Sequence, residues 1–438
     1  MSIVERHRFV AASFLFSACM SLCPGVTAQE SKPQGGEQLK FVVMVSRHGV
    51  RSPTGKTQQL NQYSSQPWPT WSVPPGELTA HGAKLMTLFG AYDRELLAQQ
   101  GLLAPQGCSD ADNIAILADS DQRTRETGKA LAAGLMPGCS VEVHALAEGT
   151  PDALFHPLEA GALHADPLVV TAAIAGRIGN HPEALAEAYR TQLTALEEVL
   201  LGSNPTPAAG SEVTRKLSLF DIPSSLAPGK GDHLADLRGP LGTAATMTEN
   251  LLLEYTEGMP EVGWGRVDLK RLRELMDLHT ASADIERRTP YIARAQTANM
   301  LDRILNSMQQ AITQKPATGS LTKPSDRLLL LVGHDTNLAN IAGTLDLNWL
   351  IDGRRDDTPP GGALVFELWQ KSGGEFSVRA YYSAQTLDQM RNATPLTLAA
   401  PPDRVPVFIP GCSRADQSCS WTQFESTVRA AIGPEASK

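Results

Sequence analysis

The 438-residue chain contains no apolar run of twenty residues, which removes any clear membrane-spanning helix from its reading. It lacks a Lys/Arg-rich stretch as well. With a formal charge of −9, the field of the whole molecule repels polyanions, so nucleic acid is excluded as a partner and any anion site must be built locally. Metal-ligand spacing is missing too: His81, His144, His156, His164, His181, His233 and His279 are scattered and read as structural or surface residues, and Trp349 and Trp421 as packing residues. There is no internal repeat. Cysteine is scarce, with six in the chain, two of them (Cys19 and Cys23) within the first 28 residues.

What is present begins with an export signal. Arg6 and Arg8 supply positive charge, an apolar run from Phe9 to Cys23 follows, and Val26-Thr27-Ala28 offers a processing site before Gln29. Phe16-Ser17-Ala18 before Cys19 matches a lipoprotein signal poorly. Cleavage after Ala28 leaves a soluble chain without a membrane partner, expected to be a monomer in the periplasm or secreted. The four remaining cysteines imply an oxidising compartment. They allow three connectivities, of which short loops favour Cys108 with Cys139 and Cys412 with Cys419. About 410 residues suffice for two domains, or for one domain with a large insertion.

Phe41 to Val45, Ile114 to Leu117 and Leu328 to Val332 read as buried parallel strands, being short, β-branched or leucine-rich, and bounded by polar turns. Amphipathic helices lie between them. Thr79 can cap one that runs to Gln99, with Leu85, Leu88, Phe89, Tyr92 and Leu96 on one face, and another runs from Pro290 to Ile312. The predicted fold class is therefore α/β, a mostly parallel sheet flanked by helices. From about 151 to 286 the strand pattern lapses and helical stretches such as Pro182 to Leu201 dominate, with 202–210 and 223–231 as exposed loops. The expected organisation is a signal peptide over 1–28, an α/β domain from 36–150 and 287–435, and a helical insertion domain over 151–286. Ala363 to Trp369 and Val378 to Tyr382 read as further strands, an antiparallel edge, before a disulfide-clamped tail.

Each of the three buried strands runs into a dense polar cluster, and in open α/β sheets ligands bind beyond the carboxyl ends of strands. The first cluster is Ser46-Arg47-His48-Gly49-Val50-Arg51, the second Asp119-Ser120-Asp121-Gln122-Arg123, the third Gly333-His334-Asp335-Thr336-Asn337. Guanidinium forks match phosphate oxygens, so Arg47, Arg51 and Arg123 can hold a phosphoryl dianion and neutralise its transition state even on an acidic protein. Neutral imidazole is a competent nucleophile, and surrounding positive charge depresses its pKa, which makes His48 the candidate nucleophile. Asp335 is the candidate general acid. It must be protonated in the working state, which predicts activity falling as pH rises out of the acid range. His334 beside it can hydrogen-bond the phosphate.

Arg47-His48-Gly49-Val50-Arg51-Ser52-Pro53-Thr54 resembles the RHGxRxP signature of the histidine acid phosphatases, and Gly333-His334-Asp335-Thr336-Asn337 resembles that family's later His-Asp motif. Trp68-Pro69-Thr70-Trp71, Asp119 through Arg125, Gly258-Met259-Pro260, Gly263-Trp264-Gly265 and Thr358-Pro359-Pro360-Gly361-Gly362 are similar to the bacterial periplasmic phytase and glucose-1-phosphatase group. The resemblance implies a phosphohistidine at His48, phosphate held by Arg47, Arg51, Arg123 and His334, and Asp335 as proton donor. It also implies a helical domain over an α/β domain, and no metal or other cofactor. Thr54, Asp119 and Glu249 are implied to face the substrate.

The expected substrate is a phosphate monoester such as phytate or a sugar phosphate. Gly55 precedes Lys56 where phytase-like members carry a lysine directly, and Gln296 stands where an arginine is expected, which removes cations from a polyphosphate pocket. Lys56 or Arg294 can compensate, and Gly49 and Thr54 favour the phytase-like pattern. Glucose-1-phosphatase or broad sugar-phosphate activity is the alternative. A periplasmic phosphate-ester binding protein would not need Asp335, a metallohydrolase would set its ion beside three arginines, and a mutase of the wider superfamily would be exported away from its substrates.

Overall fold

A computed structural model of the protein describes residues 36–202 and 216–433. The segment read as a signal peptide and most of the 202–210 loop lie outside them.

The first strand, β1 (Gln38–Arg47), sends alternate side chains to opposite faces of a sheet: Phe41, Val43 and Val45 to one apolar core, Val42 and Met44 to another. Both faces are buried, as the continuous apolar run requires. Helix α1 (Ala80–Gln99), capped by the Thr79 side chain on the Gly82 amide, covers the second face together with α2 (Gln122–Leu135), which follows strand β2 (Ile114–Ala118). A short strand β3 (Val143–His144) ends this part of the sheet.

The next stretch builds a core of its own. It holds α3 (Pro167–Arg177), α4 (Ala184–Ala188) and α5 (Arg190–Leu201), the hairpin of β4 (Ser225–Lys230) and β5 (His233–Arg238), and α6 (Pro240–Thr256) and α7 (Leu269–Glu286). Two sequence expectations need correction here. The helix expected from Pro182 to Leu201 is two helices broken at Tyr189, whose φ of −107° and ψ of 21° leave the helical region. The loop expected over 223–231 contains β4, where Pro228 is tolerated because a two-stranded ribbon leaves each strand an unpaired side.

Helix α8 (Pro290–Thr313) returns the chain to the first face, and strand β6 (Leu328–Gly333) enters the sheet between β1 and β2. Helix α9 (Asp335–Leu345) and the small hairpin of β7 (Leu350–Ile351) and β8 (Arg354–Arg355) follow. The sheet then grows antiparallel from β1 through β9 (Ala363–Gln370) and β10 (Phe376–Ala384). Past α10 (Leu387–Asn392), strands β11 (Asp403–Val407) and β12 (Cys419–Ser420) both pair with β10, and α11 (Trp421–Ile432) packs Phe424 and Val428 on the first face. The architecture is α/β, a parallel core of β3-β2-β6-β1 continued by an antiparallel edge. Disulfides join Cys108 to Cys139 and Cys412 to Cys419. No described helix is long and apolar enough to cross a membrane.

Candidate active site

Parallel pairing sets the three polar clusters side by side. Arg47 is level with Gly333, and Ala118 with Val332, so β1, β6 and β2 release their chains at one edge of the sheet. The His48 amide donates to the Gly333 carbonyl at 2.9 Å, and the His48 carbonyl accepts from the Gly361 amide at 2.9 Å. The backbone at His48 is thus held from both sides. Thr127 of α2 accepts from the Gly49 amide at 2.9 Å, tying the turn to the helix that presents Arg123.

His48 is buried, and its Nδ1 lies 2.8 Å from the Gly49 carbonyl oxygen. A carbonyl can only accept, so Nδ1 carries the proton and the Nε2 lone pair is left for attack. Burial lowers the imidazole well below its ordinary value, and Arg51, Arg47, Arg123 and His334 lower it further.

Arg47 is buried, donates to the Thr358 carbonyl at 2.6 Å and pairs with Glu249 of α6. The same Glu249 oxygen lies 3.4 Å from Arg51. Burial, partly offset by Glu249, lowers the Arg51 guanidinium to about 10, still cationic in acid. Arg123 pairs with Asp121 at 2.5 Å and lies 3.4 Å from His334 Nδ1. The Nε atoms of Arg47, Arg51 and Arg123 are all buried without a hydrogen-bond partner among the described residues. Three orphaned donors in one place call for an anion.

His334 caps α9, its amide donating to Asn337 Oδ1 at 2.9 Å, and Asp335 opens the helix. Burial alone would raise the Asp335 carboxyl, but Arg47, His279, Arg51 and His334 hold it below the usual carboxylate range. With no phosphate bound, these cations favour the ionised carboxylate. An arriving phosphate dianion that satisfies the arginines would release this depression.

Asp119 meets two histidines. It is buried, with Oδ2 accepting from His334 Nε2 at 2.7 Å and from His156 Nε2 at 3.1 Å. Thr54, Arg51, Glu249 and Asp335 line a cavity of about 730 Å³. Lys56 joins that wall; Arg294 instead lies 5.9 Å from the Tyr291 ring. Gln296 is buried, its amide donating to the Asp232 carbonyl at 2.9 Å.

The sequence reading missed several residues. His156 is part of the Asp119 network, and His279, Arg238 and Arg287 line the cavity. His279 had a signal: it shares the stripe of Leu272, Leu275 and Met276, where a polar residue on a buried face asks for a reason. His156 had none, because only tertiary packing brings it to Asp119. Asp119, His156 and His334 offer ligand atoms within 4.8 Å of one another. Both His156 nitrogens already face carboxylates, and Arg123 stands beside the set.

A family profile described as histidine phosphatase superfamily (branch 2) matches residues 38–172 and 245–383. The chain is 39% identical over 426 residues to phytase AppA of Escherichia coli strain K12, covering 95% of this chain and 98% of that protein. It is 30% identical over 410 residues to the glucose-1-phosphatase of Salmonella typhimurium, covering 90% and 93%. A solved structure of Hafnia alvei phytase in complex with tartrate superposes with a TM-score of 0.83 at 37% identity, covering 92% of this chain and 99% of that one.

Proposed function

The chain belongs to branch 2 of the histidine phosphatase superfamily, and from that membership we propose that it is an exported acid phosphomonoesterase of phytase-like preference, working through a phosphohistidine at His48. The observation that carries the mechanism is the donation from His48 Nδ1 to the Gly49 carbonyl, which frees Nε2 among cations that keep it unprotonated.

Arg47, Arg51, Arg123 and His334 hold the phosphoryl oxygens. The Nε2 lone pair forms the N–P bond as the ester P–O bond breaks, and the departing oxygen takes the Asp335 proton. Water then attacks phosphorus. Asp335 accepts the water's proton, the N–P bond breaks, and inorganic phosphate leaves with His48 neutral again. No step calls on a metal or other cofactor. The helices and hairpin of 151–286 form the insertion that roofs this edge of the α/β domain, with Thr54 and Glu249 at the substrate.

Lys56, Arg238 and Arg287 in the cavity wall support a polyphosphorylated ester, since they supply cations that Gln296 does not. The likeness to a glucose-1-phosphatase keeps the sugar phosphate as the second reading. The test measures phosphate release from phytate and glucose 1-phosphate in parallel with EDTA, at roughly pH 4.5, below the ordinary range of histidine, with His48→Ala as blank. Phytate is expected to give the higher kcat/KM. Preference for glucose 1-phosphate would favour the second reading, and release undiminished in His48→Ala would overturn the mechanism.

A further inference from the structure

We propose that His156 is a positioning residue for this chemistry: bridging Asp119 and Asp232, it fixes the carboxylate that orients His334 and tunes the readiness of His334 to donate to phosphate. The proposal rests on reading His334 as a phosphate ligand.

Asp119 has one oxygen doing two tasks. Its Oδ2 accepts from both His334 and His156, while Oδ1 is buried with no hydrogen-bond partner among the described residues. The direction in which the carboxylate faces His334 is therefore set by the pair of imidazoles. The other nitrogen of His156 lies 2.5 Å from Asp232 Oδ2. A ring with a carboxylate at each nitrogen donates from both, so His156 is an imidazolium. Burial opposes that charge, but the bonds from Asp119 and Asp232 outweigh it and raise the ring to about 10.

The backbone around this ring is tied to the site as well. Asn337 accepts from the His334 amide and donates to the Phe155 carbonyl at 2.9 Å, so one side chain spaces His334 from the residue before His156. Asp232 forms the turn of the β4–β5 hairpin, whose next residues His233, Leu237 and Arg238 line the cavity. Its Oδ1 accepts from the Glu159 amide at 3.2 Å. His156 thus joins the cavity wall to the phosphate site.

The charge acts on His334, whose ring lies 5.2 Å away. His334 uses Nε2 on Asp119, so donation to phosphate falls to Nδ1, which in the empty site faces the Arg123 donor at 3.4 Å and must take up a second proton to donate in its turn. Burial, Arg123 and His156 oppose that second proton, and Asp119 favours it. Asp152 and Glu159 face this assembly from the loop of His156, Asp121 lies 3.7 Å from His334 Nε2, the His48 ring lies 5.6 Å from that of His334, Asp335 acts on His334 from the first turn of α9, and His233 acts on Asp232 from β5. Removing the His156 charge leaves Asp119 to His334 alone. The second proton then binds more readily, and phosphate binding persists to higher pH.

The experiment measures the competitive inhibition constant of inorganic phosphate across pH for the wild type, His156→Asn, His156→Gln and His156→Lys. In the neutral Asn and Gln variants the alkaline fall of phosphate affinity should move up by about half a pH unit, giving roughly threefold tighter binding on that limb. His156→Lys, which keeps a cation, should return the wild-type profile. If the Asn and Gln variants lose thermal stability while their profile superimposes on that of the wild type, His156 is merely structural and the proposal fails. Phosphate inhibition left unchanged by His334→Ala would instead remove the reading of His334 as a phosphate ligand, on which the proposal stands.

Discussion

The charge that stabilises the empty site at the scale of one residue is Glu249, a single carboxylate shared by Arg47 and Arg51. In the absence of phosphate it is the counterion of a fully buried guanidinium, and removing one partner of a buried pair leaves an uncompensated charge. Glu249→Ala should therefore lower stability by about 3–5 kcal/mol in phosphate-free buffer. Part of that loss should return when phosphate is added, because the anion takes the vacated role and binds the folded state only. Urea unfolding with and without phosphate checks it; equal losses in both buffers would mean that phosphate does not meet these arginines.

Among the elements, the crossing of α1 and α2 is the joint that aims the arginine cluster. A Cβ on Gly90 would come 2.3 Å from the Leu131 carbonyl oxygen, and one on Gly134 would come 2.0 Å from that of Thr87. The two backbones touch, which only glycine permits. Since α2 carries Arg123 in its first turn and Thr127 against the Gly49 amide, Gly134→Ala should cost about 1–3 kcal/mol from overpacking and lower kcat/KM along with the melting temperature. Calorimetry and rate measurement on the same variant test this; an unchanged melting temperature would show that the crossing has room. The strands and polar clusters of this sheet were legible because each is local: an apolar run, then a turn dense in Arg, His and Asp. The β4–β5 hairpin was not, since Pro228 and Gly229 signal a loop and the ribbon exists only through its pairing and its Asp232 turn. Asp119 was legible as a site residue but its partner was not, because nothing in the chain before it announces that His156 will arrive at its oxygen.

For the whole molecule, Cys108–Cys139 closes a loop that contains β2 and α2 and hence Arg123. Replacing both cysteines by serine should cost about 2–5 kcal/mol, read as a drop in the urea midpoint, and production in a reducing compartment should give the same loss. An unchanged midpoint would mean that the core around α1 and α2 needs no staple. Strand order has a separate consequence, for assembly in time. Strand β6 lies between β1 and β2 although it follows β2 by some two hundred residues of chain, so the first two strands have no direct partner in each other. Until β6 has joined the fold the sheet has a missing middle. The arginines of the first two clusters wait on either side of that gap, and an N-terminal fragment that stops short of β6 should hydrolyse no ester, so activity should arrive late in folding and all at once.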